Sequence, residues 1–159
     1  DSARELYVSQ PAERELTGTV DTRDIPDGKH HLVLEGTLRT GEVVRSEPLE
    51  VIVDNCPPGL VRIDSVLRVD GAADGDPKGS LMVEVKATVE DDAGISLVEL
   101  YDTPPDTIDR PIAASEHIED GACSLLGVLN RSTRTTHCLY LKAYDQAGNY
   151  RIDRVTVPF

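Results

Sequence analysis

The sequence has few aromatic residues, no long apolar run and a shortage of basic side chains. Its 159 residues include no Trp, one Phe and five Tyr. No stretch reaches the about 18 consecutive apolar residues that indicate a membrane-spanning helix. Sixteen basic against 29 acidic residues give a formal net charge of −13, which repels phosphate backbones and anionic lipids. The composition therefore predicts no nucleic-acid partner and no membrane insertion.

Motifs of common enzyme sites are missing as well. The sequence contains no Gly-x-Ser-x-Gly elbow, no His-Glu-x-x-His, no P-loop and no Gly-x-Gly-x-x-Gly fingerprint. Nothing in the spacing brings Ser, His and Asp together. We therefore expect no enzymatic activity, no small-molecule ligand and no cofactor apart from the calcium considered below.

Apolar and polar residues alternate with a period of two in several segments. Every odd position of 81–90 is apolar, and Leu139, Leu141 and Ala143 share one side of 139–144. Shorter segments of strand character lie at 30–34, 49–54, 61–63, 98–100 and 154–157. Turn signals rich in Gly, Pro and Asp separate these runs. The pattern predicts an all-β fold of antiparallel sheets, and the one weakly helical stretch, 111–119, is short.

Paired prolines divide the chain. Cys56-Pro57-Pro58-Gly59 follows the apolar run Val51-Ile52-Val53. Proline lacks a backbone N–H donor and holds the preceding residue extended, so this segment reads as a short, stiff linker. It predicts one domain at 1–55 and a second at 56–159.

Four motifs occur in an order that points to one family. They are the Pro-Asp-Gly turn within 21–34, the apolar strand 51–55 before Pro57-Pro58, the turn and strand at 91–101, and Ala-Tyr-Asp-Gln-Ala-Gly-Asn at 143–149. Together they resemble bacterial immunoglobulin-like extracellular repeats of the Big or cadherin-like kind. In that family the first motif precedes strand F, and the last forms the F–G turn. The absence of Trp departs from antibody-type domains, and Leu38–Glu42 departs from the expected F–G turn.

The resemblance implies tandem immunoglobulin-like β-sandwiches, the first of them incomplete at its N-terminus. About 20 residues precede the first motif, whereas roughly 50 are needed for the strands before it. We therefore expect 1–55 to be a partial domain and 56–159 a complete one. Three explanations stay open: a piece of a longer repeat protein, strands supplied by another chain, or a first unit that packs directly on the second.

The resemblance also implies a function and a location. The chain would be a non-catalytic module of a larger bacterial secreted or cell-surface protein, acting as a spacer, stalk or adhesion domain. An alternative is an accessory domain or processed subunit that docks on the catalytic chain of a secreted hydrolase. A third is an adhesion repeat made rigid by calcium. The expected partners are neighbouring domains of the parent protein or another protein chain.

Acidic turns are the candidate metal ligands. Asp70, Asp74 and Asp76 lie in a Gly-containing loop, and hard carboxylate oxygens in a flexible loop suit Ca²⁺. The spacing is not that of an EF-hand, and the alternative is a solvated loop. The acidic turns at 91–92 and 145–149 are better explained by side chains that cap the turns.

Two of the three cysteines are candidates for a disulfide. Cys123 and Cys138 are 15 positions apart. A bridge closing a loop of that size contributes roughly 3 kcal/mol and implies an oxidising compartment. The alternative is three thiols in a reduced protein. Cys56 would then be free, pair with another chain, or replace one of the other two.

Two tyrosines form the candidate surface patch. Tyr140 and Tyr144 share the outward side of the strand at 139–144, because side chains two apart in a strand point the same way. Sugar stacking on this patch is one interpretation. The other is that tyrosine simply covers the outside of a sheet, where it is a favoured residue.

Overall fold

The chain is all-β and divides into two compact units. The computed structural model describes residues 4–6, 18–69, 80–107, 110–129 and 136–158. The units are Asp1–Asn55 and Cys56–Phe159. Every regular element in these ranges is a strand. Within the described ranges, no helix has the length and apolar character to cross a bilayer.

The first unit contains two short antiparallel ribbons. Strand β1 (Gly28–Leu32) pairs with β4 (Leu49–Val53), and β2 (Glu35–Thr37) pairs with β3 (Val43–Arg45). A tight turn joins β2 to β3, where the N–H of Gly41 donates to the Leu38 carbonyl at 2.9 Å. Most large apolar side chains on these ribbons are exposed, because two strands alone cannot enclose a core.

Asn55 fastens the turn before β1 to the end of β4. Its side-chain amide donates to the carbonyls of Thr22 and Ile25, both at 3.1 Å, and to Asp27 Oδ1 at 2.9 Å. The backbone N–H of Asn55 donates to the same Asp27 oxygen at 2.9 Å. The Pro-Asp-Gly turn therefore has a polar anchor in place of a large apolar contact.

The second unit has two antiparallel sheets. One has the order β5-β6-β9, and the other has the order β11-β10-β7-β8. The strands are β5 (Leu60–Val69), β6 (Leu81–Glu90), β7 (Ile95–Tyr101), β8 (Ala113–Ser115), β9 (Ala122–Leu129), β10 (Thr136–Asp145) and β11 (Tyr150–Pro158). Each neighbouring pair is antiparallel.

One apolar core lies between these sheets. Val83, Val85, Leu129, Leu139 and Leu141 are inaccessible to solvent and belong to one contact cluster. They come from both sheets, so the inward side chains of one sheet pack against those of the other, as in a β-sandwich. The alternation in 81–90 and 139–144 thus correctly predicted which positions turn inward.

The weakly helical stretch at 111–119 contains a strand instead. Strand β8 pairs with β7, and the N–H of Ile112 donates to the Leu100 carbonyl at 2.8 Å. Ile112 also packs beside Gly127, where an added Cβ would lie 3.0 Å from Ile112 Cδ1. Pairing with β7 and packing on β9 override the local pattern.

Candidate interaction face of the second unit

The outward side of β10 carries two tyrosines and a lysine. Tyr140, Lys142 and Tyr144 are each partly exposed, whereas Leu139, Leu141, Ala143 and Asp145 between and beside them are buried. This alternation follows from the pleat of a strand with one face in the core. Tyr140 and Tyr144, the two residues of the candidate surface patch, therefore lie on one outward face.

The register of β11 adds three more side chains to this face. Tyr150 lies opposite Tyr144, Ile152 opposite Lys142, and Arg154 opposite Tyr140. Tyr150 and Ile152 are 47% and 36% exposed, and Arg154 is exposed as well. We call the set the tyrosine face; its members are Tyr140, Lys142, Tyr144, Tyr150, Ile152 and Arg154.

Lys142 lies between two aromatic rings. Its Nζ atom is 4.7 Å from the ring centroid of Tyr144 and 4.0 Å from that of Tyr150. The two ring centroids are 5.8 Å apart, and the ring planes are inclined at 55°. A cation this close to a ring is attracted by the negative π-face, which contributes about 0.5–1 kcal/mol at exposed sites. The three side chains therefore hold one another in place.

The electrostatic surroundings of Lys142 keep it protonated. Partial burial disfavours the ammonium group, but the hydrogen bond with Tyr144 and the coulombic interactions with Tyr144, Tyr150 and Glu99 outweigh it. The pKa of Lys142 is consequently raised above its ordinary value. The face thus presents a permanent positive charge near neutral pH.

Glu99, opposite Lys142 on β7, is held by a different neighbour. The hydroxyl of Tyr101 donates a hydrogen bond to Glu99 Oε2 at 2.7 Å. Within the described chain, no carboxylate oxygen comes within ion-pair distance of Lys142 Nζ. The lysine therefore interacts with aromatic rings and keeps its capacity for a carboxylate partner.

The other end of the face is more polar. The Thr156 hydroxyl approaches Cys138 Sγ at 4.0 Å. The hydrogen bond with Cys138 and, next, desolvation raise the pKa of the Tyr140 phenol, while the charge of Arg154 acts in the opposite direction. Tyr140 is accordingly a neutral hydrogen-bonding group near neutral pH.

These geometries provide no flat stacking platform for a sugar ring. The inclined rings of Tyr144 and Tyr150 form no flat platform, and Lys142 occupies one side of each. Tyrosine, arginine and an exposed aliphatic group on a rigid sheet are the residues enriched where protein interfaces bind most strongly.

The acidic turns at one end of the second unit are internally satisfied. Carboxylate oxygens of Asp91 and Asp145 lie within 4.8 Å of each other. Asp145 is 1% exposed, and its two oxygens accept hydrogen bonds from the backbone and side-chain nitrogens of Asn149, both at 2.9 Å. Asp91 Oδ2 accepts from the N–H of Ala93 at 2.9 Å. These contacts are those of turn-capping side chains.

Positive-φ glycines complete the same two turns. Gly148 has φ of 92° and Gly94 has φ of 88°, a region that glycine enters without steric cost. The N–H of Gln146 donates to the Gly94 carbonyl at 3.1 Å, and the Ser96 hydroxyl donates to the Asp145 carbonyl at 2.6 Å. The capping contacts thus connect the β6–β7 and β10–β11 turns. The predicted calcium ligands Asp70, Asp74 and Asp76 lie outside the described residues.

The structure corrects the predicted disulfide. No disulfide joins any two of Cys56, Cys123 and Cys138. Cys123 occupies an inward position of β9 and is 6% exposed, whereas Cys138 has the same outward parity on β10 as Tyr140. A bridge needs side chains directed at each other. Cys123 points into the core between the sheets, whereas Cys138 points outward from the β11-β10-β7-β8 sheet. Spacing along the chain did not contain this information.

Thiol labelling should distinguish Cys56 from Cys123. Burial and, to a lesser degree, the charge of Asp64 raise the pKa of the Cys123 thiol, which lowers its reactive thiolate fraction. We expect iodoacetamide to modify the exposed Cys56 in the native protein and Cys123 only after unfolding. Peptide mass spectrometry of protein labelled with and without urea measures this. Peptides joined through Cys123 and Cys138 in the unreduced protein would contradict the assignment.

Comparison of the chain with protein-family models, with curated proteins and with solved structures found no match.

Proposed function

We propose that this chain is a non-catalytic immunoglobulin-like module of a larger secreted or cell-surface protein, and that it acts in adhesion by binding another protein chain. The observation that carries the proposal is the tyrosine face, where Lys142 is fixed between Tyr144 and Tyr150 on a strand inside the sheet. A rigid scaffold that presents aromatic side chains loses little entropy when a partner binds.

The strand order supports the immunoglobulin-like part of the proposal. When β5, β6, β7, β9, β10 and β11 are lettered A, B, C, E, F and G, the two sheets read A-B-E and G-F-C, and β8 pairs with strand C rather than with strand E. The Ala-Tyr-Asp-Gln-Ala-Gly-Asn segment then lies at the F–G turn, as in the bacterial extracellular repeats. Together with the sequence resemblance, this correspondence supports the proposed location outside the cell.

Selection from a displayed library of random peptides on the full chain tests the adhesion role. Replacing Tyr150 by alanine should lower the affinity of the selected peptides about tenfold, because truncating an aromatic anchor typically costs more than 1 kcal/mol of binding free energy. The matched control is Leu126→Ala, which alters a 61% exposed side chain on the outward face of β9. Peptides that bind wild type and Tyr150→Ala equally well would refute an adhesive role for the tyrosine face.

A second candidate function rests on the first unit. Among the described residues of this unit, eight large apolar side chains are exposed: Leu32, Val33, Leu34, Leu38, Val43, Val44, Leu49 and Ile52. Exposed apolar surface of this extent marks a docking region, as expected for an accessory subunit of a secreted hydrolase. The same selection distinguishes the two candidates. Peptides that bind Tyr150→Ala but no longer bind Ile52→Ser would favour the accessory subunit over the adhesion module.

A further inference from the structure

The charge of the tyrosine face is opposite to that of the chain. The whole chain carries a formal charge of −13. The face carries Lys142 and Arg154, and Glu99 is the carboxylate that the described part of this sheet places among the outward positions. Two cations against one carboxylate, which the Tyr101 hydroxyl hydrogen-bonds, make the face a small cationic area on an acidic molecule.

One of the two cations is held in place by its neighbours, and the other has a defined position on the adjacent strand. The rings of Tyr144 and Tyr150 fix the ammonium of Lys142, and Arg154 lies two residues further along β11 than Ile152, the partner of Lys142. Among the described residues, no ion pair engages either cation. A guanidinium without a carboxylate partner can bind one bidentately, and little side-chain entropy remains to be lost at Lys142.

The apolar members of the face lie beside these charges. Ile152 is directly opposite Lys142 in the register, and Tyr150 is the next outward residue of β11. A segment that covers both side chains would exclude water from the charged groups beside them and strengthen any ion pair formed there. Attraction between opposite charges would also accelerate the encounter with an acidic partner.

We infer that the tyrosine face binds an acidic segment of another protein chain, whose carboxylates pair with Lys142 and Arg154 while its apolar groups cover Tyr150 and Ile152. This inference rests on the proposed function and specifies the chemistry of the partner. It also accounts for selectivity, because most of the surface of this acidic chain repels such a segment.

The experiment uses the peptides selected on the full chain. We expect them to be enriched in Asp and Glu relative to the unselected library. Lys142→Glu and Arg154→Glu should each weaken binding at least tenfold, and Lys142→Met and Arg154→Gln should weaken it by less. The control is Lys86→Glu, an equal charge change at an exposed position of β6 on the other sheet. Changing the peptides' Asp and Glu to Asn and Gln should reproduce the loss on wild-type protein.

Each outcome has a distinct meaning. Peptides that need Tyr150 but show no acidic enrichment overturn the inference and leave the adhesive role standing. The inference is overturned too if Lys86→Glu lowers the affinity for acidic peptides as much as Lys142→Glu does. The attraction would then depend on the charge of the whole chain and not on the tyrosine face. A selection that yields no peptide dependent on Tyr150 removes the proposed function and the inference together. Circular dichroism of every variant verifies that its sheets remain folded.

Discussion

Replacing Leu141 by alanine should lower the free energy of unfolding of the second unit by about 3 kcal/mol. Leu141 is inaccessible to solvent and lies on β10, which has a strand on each side. Its side chain belongs to the cluster that both sheets of the unit form. Truncation therefore removes buried apolar contacts and leaves a cavity that two paired neighbouring strands cannot readily collapse.

Urea denaturation measures this effect, and Leu126→Ala is its control. Leu126 is also a strand leucine, but it is 61% exposed on β9. Its truncation should change the free energy of unfolding by no more than about 0.5 kcal/mol, as for other surface substitutions. The midpoint should shift for Leu141→Ala with an unchanged denaturant dependence. Equal losses in the two variants would contradict a core between the two sheets.

Replacing Asp145 by alanine should lower the free energy of unfolding of the second unit by about 2–3 kcal/mol, because a buried hydrogen-bonded carboxylate is lost. Asp145 is 1% exposed and accepts two hydrogen bonds from Asn149 across the β10–β11 turn. Without it, the two hydrogen bonds that Asn149 donates to this carboxylate are lost. Asp145→Asn keeps one acceptor oxygen, so it should lower the free energy of unfolding by less than Asp145→Ala.

A double-mutant cycle assigns this loss to the turn. If Asp145 acts through Asn149, changing both residues to alanine should lower the free energy of unfolding by less than the two single changes added together. The difference should be about 1 kcal/mol. Asp92→Ala in the neighbouring turn is the control, since Asp92 is exposed. Strict additivity would mean that the carboxylate stabilises the unit by some route other than its bonds to Asn149.

Period-two patterning was enough to predict the central strands. In 81–90 and 139–144 the inward positions are apolar and the outward ones mainly polar, and the structure buries Val83, Val85, Leu139 and Leu141 as that pattern requires. The pattern is informative because each strand has one face in a core, so that a shift by one residue would expose the whole apolar set.

Elements defined by their neighbours were harder to predict. Strand β8 is three residues long and exists through its pairing with β7. Strand β9 alternates in burial, but it has glycine at the inward position 127 and exposed Leu126 and Val128. The order of apolar and polar residues in β9 therefore does not indicate which of its side chains point inward. For this reason the inward position of Cys123 could not be predicted from the sequence.

The tyrosine face was visible in the sequence only in part. Tyr140 and Tyr144 share a strand, so their common side follows from spacing. Tyr150 and Arg154 belong to another strand, and their membership depends on the register that pairs Tyr144 with Tyr150. The turn at 145–149 could have supplied that register, since its first and last residues pair through the Asp145 N–H and the Asn149 carbonyl at 3.0 Å.

The clustering of Tyr144 and Tyr150 has a practical consequence. A chain without tryptophan owes its intrinsic near-ultraviolet emission to tyrosine, and two of its five tyrosine rings lie 5.8 Å apart in the cluster around Lys142. Occupancy there changes the surroundings of both fluorophores at once, so the unlabelled protein carries its own optical reporter of ligand binding.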